Sequence, residues 1–286
     1  MKKKLPTPIN PNLIYDVGMH KGEDTDFYLK KGFEVIGFEA DPNLFEHCSK
    51  RFESEISEGK LLIVHGAIVE QSFTESNKQS SVKFFKNKGN TVFGTVVEEW
   101  ADRNQKFGAE SEIVEVPAVD FSVCLEKHGM PHYLKIDIEG MDTVCLRALL
   151  NFEHTPNHIS IESEKVSFQK LLDEISLFEK LGYTKFKAIQ QRGISNQKEP
   201  SIAKEGAFLN YQFQEGSSGL FGEELPNKWL NKNQLIRKYR FIFRLYKYFG
   251  DSGKLKDHLA GKIIYKLCHM VLNRPIPGWY DTHASK

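Results

Sequence analysis

The stretch YLKIDIEG, residues 133–140, combines the apolar pattern of a buried strand with three charged side chains. Its apolar residues predict a strand in the core, and Lys135, Asp137 and Glu139 alternate with them. Charge on a buried strand costs free energy unless it is paired or hydrated. In a parallel sheet, ligands bind beyond the carboxyl ends of the strands. The stretch therefore indicates a core strand that ends at a ligand-binding edge.

Segments typical of strands and helices alternate on both sides of this stretch. Strands are predicted at LIYDVG (13–18), FEVIGFEA (33–40), LLIVHGAIV (61–69), HISIES (158–163), YTKFKAI (183–189) and GAFLNYQF (206–213). Helical patterns with short connections separate most of them, which favours an α/β fold with a parallel sheet covered by helices on both faces. Residues 70–116 are irregular and polar, and we interpret them as an insertion over one edge of the sheet.

The composition is that of an ordinary globular protein. The 286 residues are 40% hydrophobic and 27% charged, and the net charge of +1 identifies no partner. No pair among the four cysteines has zinc-site spacing, which favours free thiols in a reducing compartment. The basic N-terminus lacks the apolar stretch of a signal peptide, and no transmembrane segment is expected, so we expect a cytoplasmic protein.

The balance of basic and acidic residues changes near residue 228. Basic residues strongly outnumber acidic ones from there to residue 274, and apolar residues from Leu235 to Phe249 recur at helical spacing. The favoured interpretation is a helix that packs on the core and leaves a basic face in solvent. A platform for an anionic acceptor and a membrane-surface helix are the alternatives. We therefore divide the chain into a domain at 1–225 and a basic helical extension at 226–286.

The turn DVGMHKGEDT, residues 16–25, has the features of a nucleoside-binding loop. Gly18 and Gly22 allow the backbone to approach a ligand closely. Glu39, at the end of the next strand, is placed to accept hydrogen bonds from ribose hydroxyls.

This loop is not a dinucleotide fingerprint. The G-x-G-x-x-G spacing is missing, and the next helix begins with Glu23, Asp24 and Asp26, which oppose a pyrophosphate. These acids do not oppose S-adenosylmethionine (SAM), which lacks phosphates and carries positive charge, and Asp16 is placed to face its amino-acid end. The alternative is that the three acids only complement the helix dipole.

Five segments in this order resemble the FkbM-type SAM-dependent methyltransferases: DVGMHKGEDT, GFEADP, VHGAI, YLKIDIEGMD and ISIE. The resemblance covers roughly residues 13 to 220. It implies a class I methyltransferase fold, which is a Rossmann-like, mostly parallel seven-stranded sheet. Its last strand is antiparallel, and we assign GAFLNYQF to that strand. Such enzymes mostly methylate hydroxyls of sugars and other natural products.

The resemblance also implies roles for individual residues. The cofactor-binding set is Asp16, Gly18, His20 and Gly22 in the first loop, Glu39 and Ala40 at the ribose, His65, Gly66 and Ala67 near the adenine, and Asp137. Asp137 and Glu139 lie at the active-site edge of the fourth strand, and Glu162 ends the fifth. The sequence departs from the family at Met19–Lys21 and at Asp142, where Glu is usual.

Methyl transfer to an alcohol needs an aligned acceptor and removal of its proton. Asp137 is the first candidate for the base or orienting group, Glu162 the second, and His65 and His20 are in reserve. Asp137 and Glu139 have an alternative role as caps of the next helix, with Lys135 paired to one of them. Mg²⁺ held by Asp137 and Glu162 is a further alternative.

The sequence thus predicts a SAM-dependent O-methyltransferase of a saccharide or natural-product-like acceptor, with no nucleic-acid partner. Two alternatives are a non-catalytic SAM-fold module that docks on an anionic partner through its basic segment, and an NAD-dependent oxidoreductase. The glycines of GSSGLFGEE, residues 216–224, favour either a mobile lid or a plain surface loop.

Overall fold

A computed structural model describes residues 4–70, 73, 80–87, 94–97, 111–138, 140–164, 167–214, 216–249, 266 and 279–286. The strands are β1 (Ile9–Val17), β2 (Glu34–Glu39), β3 (Leu61–His65), β4 (Ala67–Val69), β5 (Ser81–Asn87), β6 (Ser111–Asp120), β7 (Met130–Ile136), β8 (His158–Glu162), β9 (Lys185–Gln190) and β10 (Tyr280–Ser285). The α-helices are α1 (Glu23–Lys30), α2 (Pro42–Arg51), α3 (Glu53–Ser57), α4 (Phe121–His128), α5 (Asp142–Ala148), α6 (Phe168–Lys180) and α7 (Lys232–Phe249). Short 3₁₀ turns occupy Leu149–Asn151, Ile194–Asn196 and Gly222–Glu224.

Seven strands form the main sheet, in the order β3-β2-β1-β7-β8-β10-β9. The pairs from β3 to β8 are parallel, whereas β10 is antiparallel to both of its neighbours. The predicted mostly parallel seven-stranded sheet is therefore confirmed. All the parallel strands end at one edge, and the first loop and Asp137 lie there.

The prediction of the last strand was wrong. Residues 206–213 form no strand, and Phe213 instead packs its ring against Phe27 in the core, with centroids 4.8 Å apart. The antiparallel strand is β10, where Asp281 pairs with Glu162 on one side and with Ile189 on the other. The predicted division at residue 225 therefore does not follow the sheet, because the end of the chain completes it.

Apolar side chains cover both faces of the sheet. On one face, Leu13, Tyr15 and Val17 of β1 pack with α4, α5, α6 and α7. On the other, Ile14 packs with α1, α2 and the segment from about 189 to 229. The alternation along β1 matches a strand buried on both sides.

The predicted insertion contains a second, three-stranded sheet in the order β4-β6-β5. It begins directly after β3 at Gly66, where a Cβ atom would lie 2.4 Å from the Pro117 carbonyl oxygen. Lys86 of β5 forms an ion pair of 3.0 Å with Asp41, the N-cap of α2. This ion pair fixes the small sheet beside the carboxyl ends of β1 and β2.

The apolar stripe predicted near residue 235 packs on the core as part of α7. Leu235, Tyr239 and Ile242 are buried. The Tyr239 hydroxyl lies 2.6 Å from the Thr282 hydroxyl and also contacts Ser163, so α7 is joined to β8 and β10. None of the helices described is long and apolar enough to cross a membrane.

The segment GSSGLFGEE is packed against the core, and the lid interpretation was wrong for this conformation. The Ser218 N–H donates to both carboxylate oxygens of Asp24, at 2.9 and 3.0 Å. Phe221 is fully buried and stacks on Tyr133 with ring centroids 4.6 Å apart. Leu220 and Phe221 are therefore core residues, and the glycines provide the turns that bring them inward.

Candidate cofactor and acceptor site

A cleft opens at the carboxyl ends of β1, β2 and β7, under the small sheet. Seven predicted cofactor residues line it: Gly18, His20, Glu39, Ala40, Gly66, Ala67 and Asp137. Phe84, Thr95 and Val96 of the insertion close it from the other side. The insertion thus forms one wall of the cleft, a role that the sequence did not predict.

Close backbone contacts fix the loop after β1. Gly18 has φ 82°, and a Cβ atom there would lie 2.0 Å from the Asp137 carbonyl oxygen. The Gly18 and Met19 N–H groups both donate to the Phe38 carbonyl, at 3.1 and 3.0 Å. Only glycine fits where the loops after β1 and β7 meet. Met19, where the sequence departs from the family, is buried against Gly37 and does not enter the cleft.

Glu39 connects this loop to the end of β2. Its carboxylate accepts the His20 N–H at 2.9 Å and the Asp41 N–H at 2.8 Å. Burial raises the pKa of Glu39 to about 7, although both N–H donors favour the charged form. Each oxygen keeps a further acceptor site for a hydroxyl group in the cleft.

Asp16 lies beneath the loop and does not line the cleft. It is fully buried, accepts the Thr25 hydroxyl at 2.7 Å, and forms an ion pair of 3.1 Å with Lys135. A carboxylate with these two partners supports the loop from below. Asp16 therefore holds the loop in place, and its predicted contact with the amino-acid end of the cofactor stays a prediction.

Lys135 is the charged residue inside β7, and its ammonium contacts groups of the neighbouring elements. Its ammonium donates to the Gly18 carbonyl at 2.9 Å and lies 3.7 Å from Asp24 and 4.0 Å from Asp137. Burial alone lowers the pKa of Lys135, but the nearby carboxylates outweigh burial and hold it well above its usual range. Lys135 therefore joins the first loop, α1 and the end of β7. The sequence offered it only as a partner of Asp137 or Glu139.

Two further predicted residues lie outside the cleft. Gly22 is the N-cap of α1, where a Cβ atom would lie 2.3 Å from the Phe52 ring. His65 stacks on Phe45 with ring centroids 4.5 Å apart, and its buried Nε2 has no hydrogen-bond partner among the described residues. Both residues shape the elements around the cleft and do not line it.

Asp137 and Glu162 belong to two adjoining clefts. The Asp137 side chain is 43% exposed and lines the cofactor cleft. Glu162, at the end of β8, lines a second cleft together with Asp142, Glu164, Asp173 and Glu174, against the cations Arg147 and Lys170. Asp142 lines the second cleft, and burial together with the charges of Asp137 and Glu162 raises its pKa well above the usual range. Glu139 lies outside the described residues.

Asp281 is a further acid at this edge that the sequence did not single out. It begins the buried part of β10, opposite Glu162 in the register, and is 8% exposed. Burial raises its pKa well above the usual range, and the charges of Asp137 and Glu162 add to this effect. Asp142 and Asp281 are therefore biased toward the protonated, hydrogen-bond-donating form.

Asp137 and Glu162 line separate clefts, and Mg²⁺ held between them stays a prediction. Among the described residues, the group that can converge on one ion is His132, His158 and Glu205, at the opposite, amino-terminal edge of the sheet. His132 Nε2 lies 2.8 Å from Glu205, and the Asn157 amide nitrogen lies 2.8 Å from His132 Nδ1. Because that amide nitrogen is a donor, the His132 proton lies on Nε2 and is donated to Glu205. Asn157, His132 and Glu205 therefore form a chain of hydrogen bonds.

The strand order, the antiparallel seventh strand and the cleft under the glycine loop define a class I SAM-dependent methyltransferase. The family model for the Methyltransferase FkbM domain matches residues 16–185, which is more than half of the chain. The chain therefore belongs to the FkbM methyltransferase family.

Individual relatives are more distant. A SAM-dependent methyltransferase from Archaeoglobus fulgidus is 11% identical, with a TM-score of 0.37 and coverage of 96% of this chain and 86% of that one. Precorrin-6y C5,15-methyltransferase from Geobacter metallireducens GS-15 is 10% identical, with a TM-score of 0.35 and coverage of 70% and 76%. A probable ribosomal RNA small subunit methyltransferase A from Methanospirillum hungatei JF-1 is 36% identical over 61 residues, or 21% of this chain. The chain spans about a quarter of the length of that curated relative, since the match covers 24% of it.

Proposed function

We propose that this methyltransferase transfers the SAM methyl group to a hydroxyl of a saccharide or natural-product-like acceptor. The observation that carries the proposal is the position of Asp137. Its carboxylate is 43% exposed in the cofactor cleft, and Asp142 of the acidic cleft accepts the N–H of the next residue, Ile138, at 3.2 Å. An acceptor that occupies the second cleft would place its hydroxyl beside the Asp137 carboxylate, at the point where the hydroxyl reaches the methyl group of SAM.

The cofactor cleft fits an adenosine-bearing ligand. SAM supplies a methyl group activated by its sulfonium. Glu39 would accept the ribose hydroxyls, and Gly66 and Ala67 would border the base. The backbone at Gly18 and His20 would lie along the amino-acid part. The support is that these residues line one cleft, and that Gly18 and Gly66 are positions where a Cβ atom would clash with backbone oxygens.

On the acceptor side, Asp137 would take the hydroxyl proton or orient the hydroxyl. The Lys135 ammonium lies 4.0 Å from the Asp137 carboxylate and holds it at the end of β7. Asp142 and Asp281 are biased toward the protonated form and would donate hydrogen bonds to acceptor oxygens. A site of this kind suits a neutral, hydroxyl-rich molecule.

RNA is a second candidate acceptor, because the Methanospirillum hungatei relative is a probable ribosomal RNA methyltransferase. Five acids against two cations in the second cleft oppose a phosphate backbone. The net charge of +1 is also unlike that of a nucleic-acid-binding domain. These charges favour the saccharide over RNA.

Calorimetric titration with SAM, S-adenosylhomocysteine and NADH is the first test. We expect micromolar binding of the first two and none of NADH. Transfer of labelled methyl from SAM is then measured on neutral oligosaccharides and on RNA, with and without Mg²⁺. Labelled carbohydrate whose label survives treatment with base, as a methyl ether does, would support the proposal. Label on RNA alone would overturn the proposed class of acceptor. SAM binding without transfer to any acceptor tested would instead favour the non-catalytic binding module.

A further inference from the structure

The outward face of α7 is a basic surface on the outside of the molecule. It comprises the exposed side chains Arg237, Arg240, Phe241, Arg244, Lys247 and Tyr248, here called the basic face. Their spacing places them along one side of the helix, opposite the buried Leu235, Tyr239 and Ile242. The core therefore accounts for one side of α7. The side chains of the other side are exposed, and among them Arg240 lies 5.9 Å from the centre of the Phe168 ring.

The cations of the basic face have no acidic partner among the described residues, unlike many other cations on this molecule. Lys30, Lys50 and Lys60 form ion pairs of 2.6 to 2.7 Å with nearby acids. The helix sequence KNQLIRKYRFIFRLYKYF contains no acid at all. Within the described residues, the four cations of the basic face have no acidic partner. Arg237 donates only to the Asn233 carbonyl oxygen, at 3.3 Å, so no described acid neutralises the charge of this face.

Two aromatic side chains stand among these cations. Phe241 is 59% exposed and Tyr248 is 45% exposed. Arg237 and Tyr248 are separated by about 16 Å along the axis, from a rise of 1.5 Å per residue. Exposed aromatic and basic side chains on one helix face are typical of helices that lie in the interface of an anionic membrane.

We propose that the basic face docks on the surface of an anionic lipid bilayer. The cations would meet lipid phosphates, and Phe241 and Tyr248 would enter the headgroup region. This inference concerns a surface outside both clefts and goes beyond the proposed methyl transfer. A bilayer is favoured over RNA because the positive charge is local, on a chain with a net charge of +1 and a pI near 7.7.

Cosedimentation with lipid vesicles tests the proposal on the full chain. We expect partition onto vesicles of 70% phosphatidylcholine and 30% phosphatidylglycerol, weak partition onto phosphatidylcholine alone, and loss of most binding at 0.5 M NaCl. Each cation near such a surface is worth about fivefold in partition. Arg237→Ala with Arg244→Ala should therefore weaken it about 30-fold.

Two comparisons separate the basic face from general charge. Lys127→Ala with Lys198→Ala removes the same charge from exposed positions elsewhere, and this control should stay within about twofold of the unmodified protein. Phe241→Ala should weaken partition about fivefold, because the ring no longer enters the interface. SAM affinity unchanged in all three variants confirms that each is folded.

The proposal is overturned if the protein does not cosediment with anionic vesicles at 0.1 M NaCl. It is also overturned if the Lys127/Lys198 control loses as much partition as the Arg237/Arg244 variant. A labelled single-stranded RNA is added as a third ligand. Binding of RNA through Arg237 and Arg244 without binding of vesicles would assign the basic face to nucleic acid instead.

Discussion

Lys135→Met tests the buried charge cluster that supports the first loop. The ammonium of Lys135 lies 3.1 Å from Asp16 and 3.7 Å from Asp24, and both carboxylates are at least 97% buried. It also donates to the Gly18 carbonyl at 2.9 Å. Methionine fills a similar volume and removes the charge, so the variant isolates the electrostatic contribution.

The expected loss in the free energy of unfolding follows from the burial of the Lys135 ion pairs. Removing one partner of a buried ion pair costs about 3–5 kcal/mol of the free energy of unfolding, because the remaining charge stays uncompensated. Burial already holds the pKa of Asp24 above its usual range, and the charge of Lys135 opposes this most strongly, ahead of the hydrogen bonds from Ser218. Without Lys135 that pKa rises further. An acid whose folded-state pKa exceeds its unfolded value loses stability as pH rises between the two values. The loss should therefore be full at pH 8 and smaller at pH 5.

Urea unfolding at pH 5 and pH 8 measures this difference. The matched control is Lys50→Met, whose ion pair of 2.7 Å with Glu46 is exposed, so its loss should change the free energy of unfolding little at either pH. Lys135→Met with Asp16→Asn should recover part of the loss, since one uncompensated carboxylate is gone. A loss below about 1 kcal/mol at pH 8, or an equal loss at both pH values, would refute the electrostatic reasoning.

Three other predictions concern catalysis, cofactor binding and the last strand. Asp137→Asn should reduce transfer to the true acceptor by at least about 100-fold with SAM affinity within a few-fold, and full activity in a methyl-transfer assay would contradict its role. Because burial raises the pKa of Glu39 to about 7, calorimetry should show adenosine affinity falling about tenfold from pH 8 to pH 6. Glu39→Gln should flatten that profile, and an unchanged slope would assign the effect to another group. Deleting residues 280–286 should abolish cooperative thermal unfolding, because β10 pairs with both β8 and β9; a cooperative transition near that of the full chain would show that the strand is dispensable.

The parallel core could be predicted because each of its parts is local in sequence. Apolar runs of strand length, glycine turns and the Asp41-Pro42 helix start lie within short windows. Gly18, Glu39 and Asp137 each follow such a strand, and carboxyl ends of parallel strands share an edge. For this reason the sequence predicted that these three residues share one edge, and all three line the cofactor cleft.

The contacts that the sequence missed join residues far apart in the chain. Asp16 was predicted to face a ligand, because the sequence does not show that Lys135 lies 3.1 Å from it. β10 has the polar sequence YDTHAS, with no apolar alternation, although it is inserted between two strands. GAFLNYQF has the apolar content of a strand, but its Phe213 is drawn into the core beside Phe27. Tertiary packing outweighed local pattern in both segments.

The end of the chain connects the two proposals physically. Tyr239 places its hydroxyl between Ser163 and Thr282, which directly follow Glu162 and Asp281 in the sequence. Glu162 and Asp281 are acids at the acceptor edge, and Tyr239 lies on the opposite side of α7 from the basic face. These buried hydroxyls therefore hold α7 at a fixed position relative to the acceptor edge. A helix that docks on a bilayer would then present the acidic cleft at a constant height above the lipid headgroups, which suits an acceptor carried at a membrane surface.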